Sequence, residues 1–134
     1  MPEDPRPVIT VVAALVTDAT GRLLLVRKRG TDRFMQPGGK PEAGETLREA
    51  LARELAEELR LTIEPGAFDD LGRFETDAAN EPGHLLVAHV YRLEVADPVA
   101  AAAEITEARW CTVEEADALG ERLAPLAREL LPFC

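Results

Sequence analysis

The chain has 134 residues, 46% of them apolar, which is enough to build one compact domain spanning residues 1–134 around a single core. Lys and Arg number 15 against 25 Asp and Glu, and the resulting formal charge of −10 disfavours duplex nucleic acid as a partner. A small phosphorylated ligand remains compatible with this charge, because clustered acids can hold a divalent cation that reverses the local field.

The cysteines and the chain's apolar runs indicate the expected compartment. Cys111 and Cys134 lack CxxC spacing, so we expect two free thiols in a reducing cytoplasm. Segment 1–7 is polar and proline-rich, unlike a signal peptide. The longest apolar run, 8–16, is shorter than the roughly 20 residues that span a bilayer, so no membrane association is expected.

Two apolar runs near the N-terminus predict neighbouring strands. They cover residues 8–16 and 23–26, and the turn-forming segment 18–21 separates them. Pro37-Gly38-Gly39 follows further along the chain, and these residue types disfavour any regular element. We therefore predict a loop there.

The segment Glu45–Leu59 is predicted to be a helix. It contains no Gly or Pro, strong helix formers dominate it, and leucines recur at positions 47, 51, 55 and 59. The helix would follow directly from the glycine loop.

The second half of the chain predicts three more strands and two short helices. The strand-like runs lie at 67–74, 85–95 and 108–111. Thr112, three residues before Glu115, predicts a capping box that opens one helix, and Pro125 suits the first position of another. Strands and helices in this order predict a sheet with helices packed on it.

Three carboxylates share one face of the predicted 45–59 helix. On a wheel of about 100° per residue, Glu54 and Glu58 lie at the edge of the leucine stripe, with Glu57 further round. Like charges at i and i+4 repel, and burial penalises ionised carboxylates. A hard divalent cation with oxygen ligands, Mg²⁺ or Mn²⁺, would explain this arrangement.

Other interpretations of these segments are weaker. Taken alone, the run 53–58 is more typical of a solvated helix face with i, i+4 pairs. A helical interaction protein with such a face conflicts with the strand-rich first half and the glycine loop. A phosphate-binding P-loop at Gly39-Lys40 is excluded, because Phe34 stands where its first Gly is required and Pro41 replaces Ser or Thr.

The spacing of residues between Gly39 and Leu61 carries a family resemblance. Five residues separate Gly39 from Glu45, and seven more precede Arg53-Glu54-Leu55-Ala56-Glu57-Glu58-Leu59. This pattern resembles the Nudix box, with one departure at Arg60, where the family usually has Gly. That Gly often ends the helix in a left-handed conformation, which costs a side chain about 1 kcal/mol, so the departure concerns the geometry of the helix end, which a different helix end could also provide, and removes no metal ligand.

The resemblance implies a fold and an activity. The fold would be an α/β/α sandwich with a mixed central sheet and helices on both sides. The activity would be hydrolysis of a phosphoanhydride bond in a nucleoside diphosphate derivative, either a nucleoside triphosphate, including oxidised ones, or an ADP-ribose-type sugar nucleotide. A non-catalytic Nudix-like binding or regulatory module is the alternative, although such modules usually lose box carboxylates. Whether the chain forms a homodimer stays open.

The resemblance also implies residue roles. The metal ligands would be the Gly38 carbonyl and the carboxylates of Glu54, Glu57 and Glu58. Arg53 would orient a box glutamate, Glu45 would fix the junction between loop and helix, and Gly39 would be structural.

The general base and the substrate contacts are less determined. Many family members recruit a further acid from a distant loop, and the candidates here, beside the box glutamates, are Glu104, then Glu107, then Glu75. Simple surface roles explain these acids equally well. The side chains that could contact substrate are Arg27, Lys28, Arg29 and Arg33 for phosphates, and Phe34 and Met35 for a base. Solvation of the arginines and lysine, and core packing of Phe34 and Met35, are the competing explanations.

Overall fold

The computed structural model describes residues 4–134; residues 1–3, where the predicted domain and its polar N-terminal segment begin, lie outside the described residues. Strands and helices follow one another along the chain as β1 (Val8–Thr17), β2 (Leu23–Lys28), β3 (Phe34–Met35), β4 (Gly38–Gly39), α1 (Leu47–Leu59), β5 (Asp69–Asp77), β6 (Leu85–Glu94), β7 (Ile105–Cys111), α2 (Val113–Asp117) and α3 (Pro125–Leu130).

The strands form one mixed sheet with the order β3-β2-β1-β6-β5. β1 runs parallel to β6 over its whole length, and β6 is antiparallel to β5. On its other side β1 pairs with β2 only where Thr17 meets Leu23, and it then pairs with β4. β2 continues between β3 and β7. The sheet therefore divides between β1 and β2 beyond their hairpin.

Apolar layers cover both faces of the sheet. Side chains of Val12, Ala14 and Val16 pack with the leucines of α1 on one face. Ala13 and Leu15 pack with α3 on the other face, as the alternation of side chains along a strand requires. Helices on both sides confirm the predicted α/β/α arrangement.

Helix α1 begins and ends differently from the sequence prediction. It starts at Leu47 rather than Glu45, because Thr46 is the N-cap and forms a capping box with Glu49. It ends with Arg60 at φ 56° and ψ 34°, and the Arg60 N–H donates to Ala56 O at 3.2 Å. The helix end is therefore not a different one: Arg60 itself adopts the left-handed conformation that Gly usually provides.

Several other boundaries move because of tertiary pairing. Gly38 and Gly39 form β4 rather than a loop, since their backbone pairs with Ala13 and Val12 of β1. A short 3₁₀ turn at Pro65–Ala67 delays β5 to Asp69, and β7 begins at Ile105 rather than at 108. The helix starts predicted after Thr112 and at Pro125 are confirmed.

Two further expectations concern the thiols and the membrane. Cys111 and Cys134 are both free, the first buried and the second exposed. Within residues 4–134, no helix combines the length and apolar character needed to cross a bilayer.

Candidate active site

A cavity of about 520 Å³ lies where β1 and β2 separate, and its volume falls in the range of small-molecule sites. Its two ends differ in chemistry. The carboxylate end is lined by Lys28, Gly38, Gly39, Glu54 and Glu104. The apolar end is lined by Ile9, Val11, Met35, Leu86 and Leu126.

Glu58 lies behind the carboxylate end and is only 2% exposed. Its Oε1 accepts a hydrogen bond from the Gly38 N–H at 3.0 Å, whereas its Oε2 is buried without a partner. Burial raises the pKa of Glu58 from its usual 4.5 to about 7; repulsion from Glu54 and Glu104 adds to this rise, and the Gly38 bond opposes it. The positive charge of Lys28 also opposes the rise but does not cancel it, so an ionised Glu58 needs further positive charge.

Glu54 lines the cavity against the glycine strand. Burial raises its pKa, although the hydrogen bond from Arg53 opposes the rise. A Cβ on Gly39 would lie 2.5 Å from the Glu54 carboxyl carbon, and a Cβ on Gly38 would overlap the Val12 carbonyl oxygen. Both glycines are therefore needed for β4 to approach β1 and the glutamate closely.

Arg53 connects the box residues to the loop before α1. Its Nη1 donates to Glu54 Oε1 at 2.8 Å, and its Nε donates to Glu45 Oε2 at 2.8 Å. The Glu45 carboxylate also accepts from the Glu42 N–H, and the bond from Arg53 lowers its pKa. These contacts are those required by the roles predicted for Arg53 and Glu45, in orienting a glutamate and fixing the junction.

The three box glutamates are not gathered into a ready-made metal site. The Glu57 side chain is 54% exposed and lies 3.7 Å from Arg53 Nη1. Within residues 4–134, no group of three or more His, Cys, Asp or Glu side chains is arranged to hold a metal ion. The chemistry of the donors nevertheless fits a hard divalent cation, because Glu58 Oε2 is orphaned and Glu54 is desolvated beside it.

The alanine-rich loop before β7 brings Glu104 to the carboxylate end. Ala100 N donates to Leu59 O at 3.1 Å and Ala102 N donates to Glu58 O at 2.9 Å, so the loop caps the end of α1. Ala103 adopts a left-handed conformation at φ 52°. The Glu104 side chain that follows is 56% exposed and lies 3.7 Å from Lys28 Nζ.

The other two candidate bases lie elsewhere. Glu107 accepts hydrogen bonds from Arg109 and Arg27, which lower its pKa, and it does not line the cavity. Glu75 is paired with Arg73 and borders a separate shallow pocket. Neither carboxylate is brought to Glu54 and Glu58.

The residues predicted to contact substrate are only partly brought together. Met35 lines the cavity, but Phe34 is completely buried in the core, where Arg109 and Arg122 stack over its ring. Arg27 is bonded to Glu107 and the Thr31 carbonyl, and neither it nor Arg29 lines the cavity.

Lys28 and Gln36 line the cavity where other side chains were expected. Lys28 reaches the carboxylate end, and Gln36 lines the cavity while only 6% exposed. Lys28 was predicted only as one of four candidate cations, and Gln36 was not predicted. Residues 23–26, which precede Lys28, are buried on both faces of β2, so no alternation in the sequence distinguishes its two faces.

Comparison with known proteins identifies the family of the chain. Residues 7–134 match the family model of the NUDIX domain. Over 127 residues the chain is 32% identical to the phosphatase NudJ of Escherichia coli, covering 92% of this chain and 80% of that protein. More than half of the chain thus matches one family.

Solved structures show the same fold. The MutT protein of Methanosarcina mazei superposes with a TM-score of 0.76 at 24% identity, covering 98% of this chain and 95% of that one. The Nudix domain of Shewanella oneidensis NrtR, solved with ADP ribose, gives 0.74 at 20% identity, covering 97% and 90%. The chain therefore belongs to the Nudix family and is a hydrolase of the pyrophosphohydrolase type.

Proposed function

We propose that the chain is a single-domain, Mg²⁺-dependent enzyme that hydrolyses a phosphoanhydride bond in a nucleoside diphosphate derivative. The observation that carries the proposal is the buried Glu58 carboxylate, which has one orphaned oxygen and a raised pKa beside a nucleotide-sized cavity. An uncompensated carboxylate in such a position is costly, and a divalent cation relieves that cost while attracting phosphates.

The residues that would hold the metal are Glu54, Glu57 and Glu58, with the Gly38 carbonyl as a further oxygen donor. Mn²⁺ suits the same donors. A bound metal would neutralise phosphate oxygens and lower the pKa of the attacking water. Among residues 4–134, Glu57 forms an ion pair with Arg53 alone, and rotation about its side-chain bonds would bring its exposed carboxylate toward the cavity.

The chain's own residues have distinct tasks in this mechanism. Arg53 holds Glu54 toward the cavity, and Glu45 holds Arg53 in turn. Lys28 supplies positive charge for a phosphate. Glu104 is our choice for the general base, because it is exposed on the cavity wall, whereas Glu107 is engaged by two arginines.

The substrate is a nucleoside triphosphate, including oxidised forms, or an ADP-ribose-type sugar nucleotide. The ADP ribose bound by the NrtR domain, which shares this fold, supports the second class. The two free thiols support action in a reducing cytoplasm.

The test is hydrolysis of a panel of nucleoside triphosphates, oxidised dGTP, ADP ribose, dinucleoside polyphosphates and nucleotide sugars, with and without Mg²⁺. We expect metal-dependent turnover of at least one compound and a loss of at least about a hundredfold in kcat/KM for Glu58→Gln. Glu64→Gln is the matched control, since Glu64 is exposed and distant from the cavity lining. Binding of a nucleotide without any turnover by the wild type would instead identify a binding module.

A further inference from the structure

The Gln36 amide is an unexplained polar group in the cavity. Neither its Oε1 nor its Nε2 has a hydrogen-bond partner, although both atoms are buried. The backbone around it is fixed, because Phe34 O accepts from Ala124 N at 2.8 Å and Pro37 O accepts from Ala14 N at 3.0 Å. A buried amide whose donor and acceptor both lack partners is unfavourable unless a ligand supplies the missing hydrogen bonds.

Other polar residues on the cavity wall differ from Gln36. Asp77 and Asn80 also line the cavity, but both are exposed, and Asp77 is paired with Arg6. Water can hydrate their polar atoms in the absence of a ligand. Among the described wall residues, Gln36 is the one whose amide is both unused and shielded from solvent, so a ligand reaches this amide when the side chain turns toward the cavity.

The residues that line the cavity with Gln36 indicate what kind of ligand group would hydrogen-bond its amide. Among the described residues that line the cavity none is aromatic, and Met35 and Leu126 contribute apolar wall. A flat ring can lie against such aliphatic and thioether side chains, although they discriminate poorly between rings. A carboxamide offers a donor beside an acceptor, the pattern that complements the edge of a nucleobase.

We propose that the Gln36 amide turns into the cavity and hydrogen-bonds the base of a nucleotide that lies against Met35 and Leu126, which makes Gln36 a specificity-determining residue. The inference rests on the proposed function for the position of the phosphates at the carboxylate end. Because apolar contact alone distinguishes bases weakly, this one amide carries most of the discrimination between them.

The test compares the wild type with Gln36→Leu on nucleoside triphosphates that differ only in the base. Each kcat/KM is divided by that for ribose triphosphate, which lacks a base, so that a general loss of activity cancels. We expect the relative kcat/KM of the preferred nucleotide to fall about tenfold to a hundredfold, and the ratios between bases to approach one. Unaltered ratios in Gln36→Leu would overturn the proposal.

Two controls keep the result interpretable. Met35→Leu alters the apolar wall without removing a hydrogen-bonding group, so the ratios between bases should persist. Gln36→Leu should unfold at or above the wild-type temperature, because it removes two unpartnered polar atoms. A lower unfolding temperature combined with unaltered base ratios would show that Gln36 is structural and would overturn the proposal.

A binding measurement separates this proposal from the proposed function. If the wild type hydrolyses nothing in the panel, the hydrolase assignment fails, and calorimetry with nucleoside monophosphates decides the role of Gln36. Binding to the wild type that weakens at least about tenfold in Gln36→Leu supports the role. Equal binding to both proteins, or none to either, overturns it.

Discussion

The two ends of the cavity both bury polar atoms that lack partners, but the atoms differ in kind. At the carboxylate end the orphan is an oxygen of Glu58, whose burial cost depends on its charge and hence on pH. Next to Met35 of the apolar end in sequence, the orphan is the neutral amide of Gln36, whose burial cost does not vary with pH. A bound cation offsets the burial cost of the Glu58 oxygen, whereas only hydrogen bonds offset the burial cost of the Gln36 amide. Reaction and recognition are therefore separable along one cavity, and substitutions should separate them.

The largest effect is expected at Gly38 of the carboxylate end, two residues after Gln36. A Cβ there would overlap the Val12 carbonyl oxygen, which belongs to the backbone and cannot turn aside. Gly38→Ala should lower the free energy of unfolding by about 3 kcal/mol or more and impair both ends. Denaturant unfolding measures this change.

The control for Gly38→Ala is Gly66→Ala, where a Cβ would meet nothing within 4 Å. Its free energy of unfolding should stay within about 1 kcal/mol of the wild-type value. Similar destabilisation by both substitutions would contradict the close approach of β4 to β1.

The next largest effect is a pH dependence of the free energy of unfolding, which we expect from Glu58 and not from Gln36. The native pKa of Glu58 is about 7 against its usual 4.5, so the folded state binds more protons than the unfolded state between these values. Stability of the metal-free protein should therefore fall as pH rises from 4.5 through 7. Glu58→Gln should remove this fall and add up to about 3 kcal/mol at pH 8, while abolishing hydrolysis.

Urea unfolding from pH 5 to pH 8, in a chelator, measures this dependence for each variant. Gln36→Leu is the comparison from the apolar end, and its curve should run parallel to that of the wild type. If the free energy of unfolding varied with pH in the same way in the wild type and in Glu58→Gln, burial would not raise the pKa of Glu58 in the folded protein.

The smallest effect concerns the end of α1, next to the carboxylate end but without contact to its oxygens. Arg60 adopts a left-handed conformation, so Arg60→Gly should raise the free energy of unfolding by about 1 kcal/mol. Arg60→Ala keeps the Cβ and should give no such gain. Thermal unfolding of both variants tests the difference, and an equal gain would assign the effect to charge rather than backbone conformation.

The sequence predicted well what depends on local periodicity. The wheel of the 45–59 helix placed Glu54 and Glu58 beside the leucine stripe, and the structure buries Glu58 and partly buries Glu54. The same wheel put Glu57 further round, where the structure leaves it exposed. The Nudix resemblance predicted the α/β/α fold, because one continuous motif covers the loop and the helix that define it.

Features formed by distant segments were not predictable in this way. β4 exists because β1 pairs with it, and Gly38-Gly39 alone has low strand propensity. Gln36 is buried between β3 and the start of α3, which comes from the other end of the chain. A glutamine before a proline is typical of a loop, so neither its burial nor its lack of partners is visible in the sequence.

The two bonds from Ala100 and Ala102 to the final carbonyls of α1 have a dynamic consequence. The last helical turn cannot fray by itself, because opening it also releases the loop that carries Glu104. Helix end and loop therefore unfold locally as one cooperative unit. Such an excursion withdraws Glu58 together with loop residues 100–102, whereas Glu54 lies one turn earlier in α1 and the Glu104 carbonyl still accepts from Arg29 N at 2.8 Å.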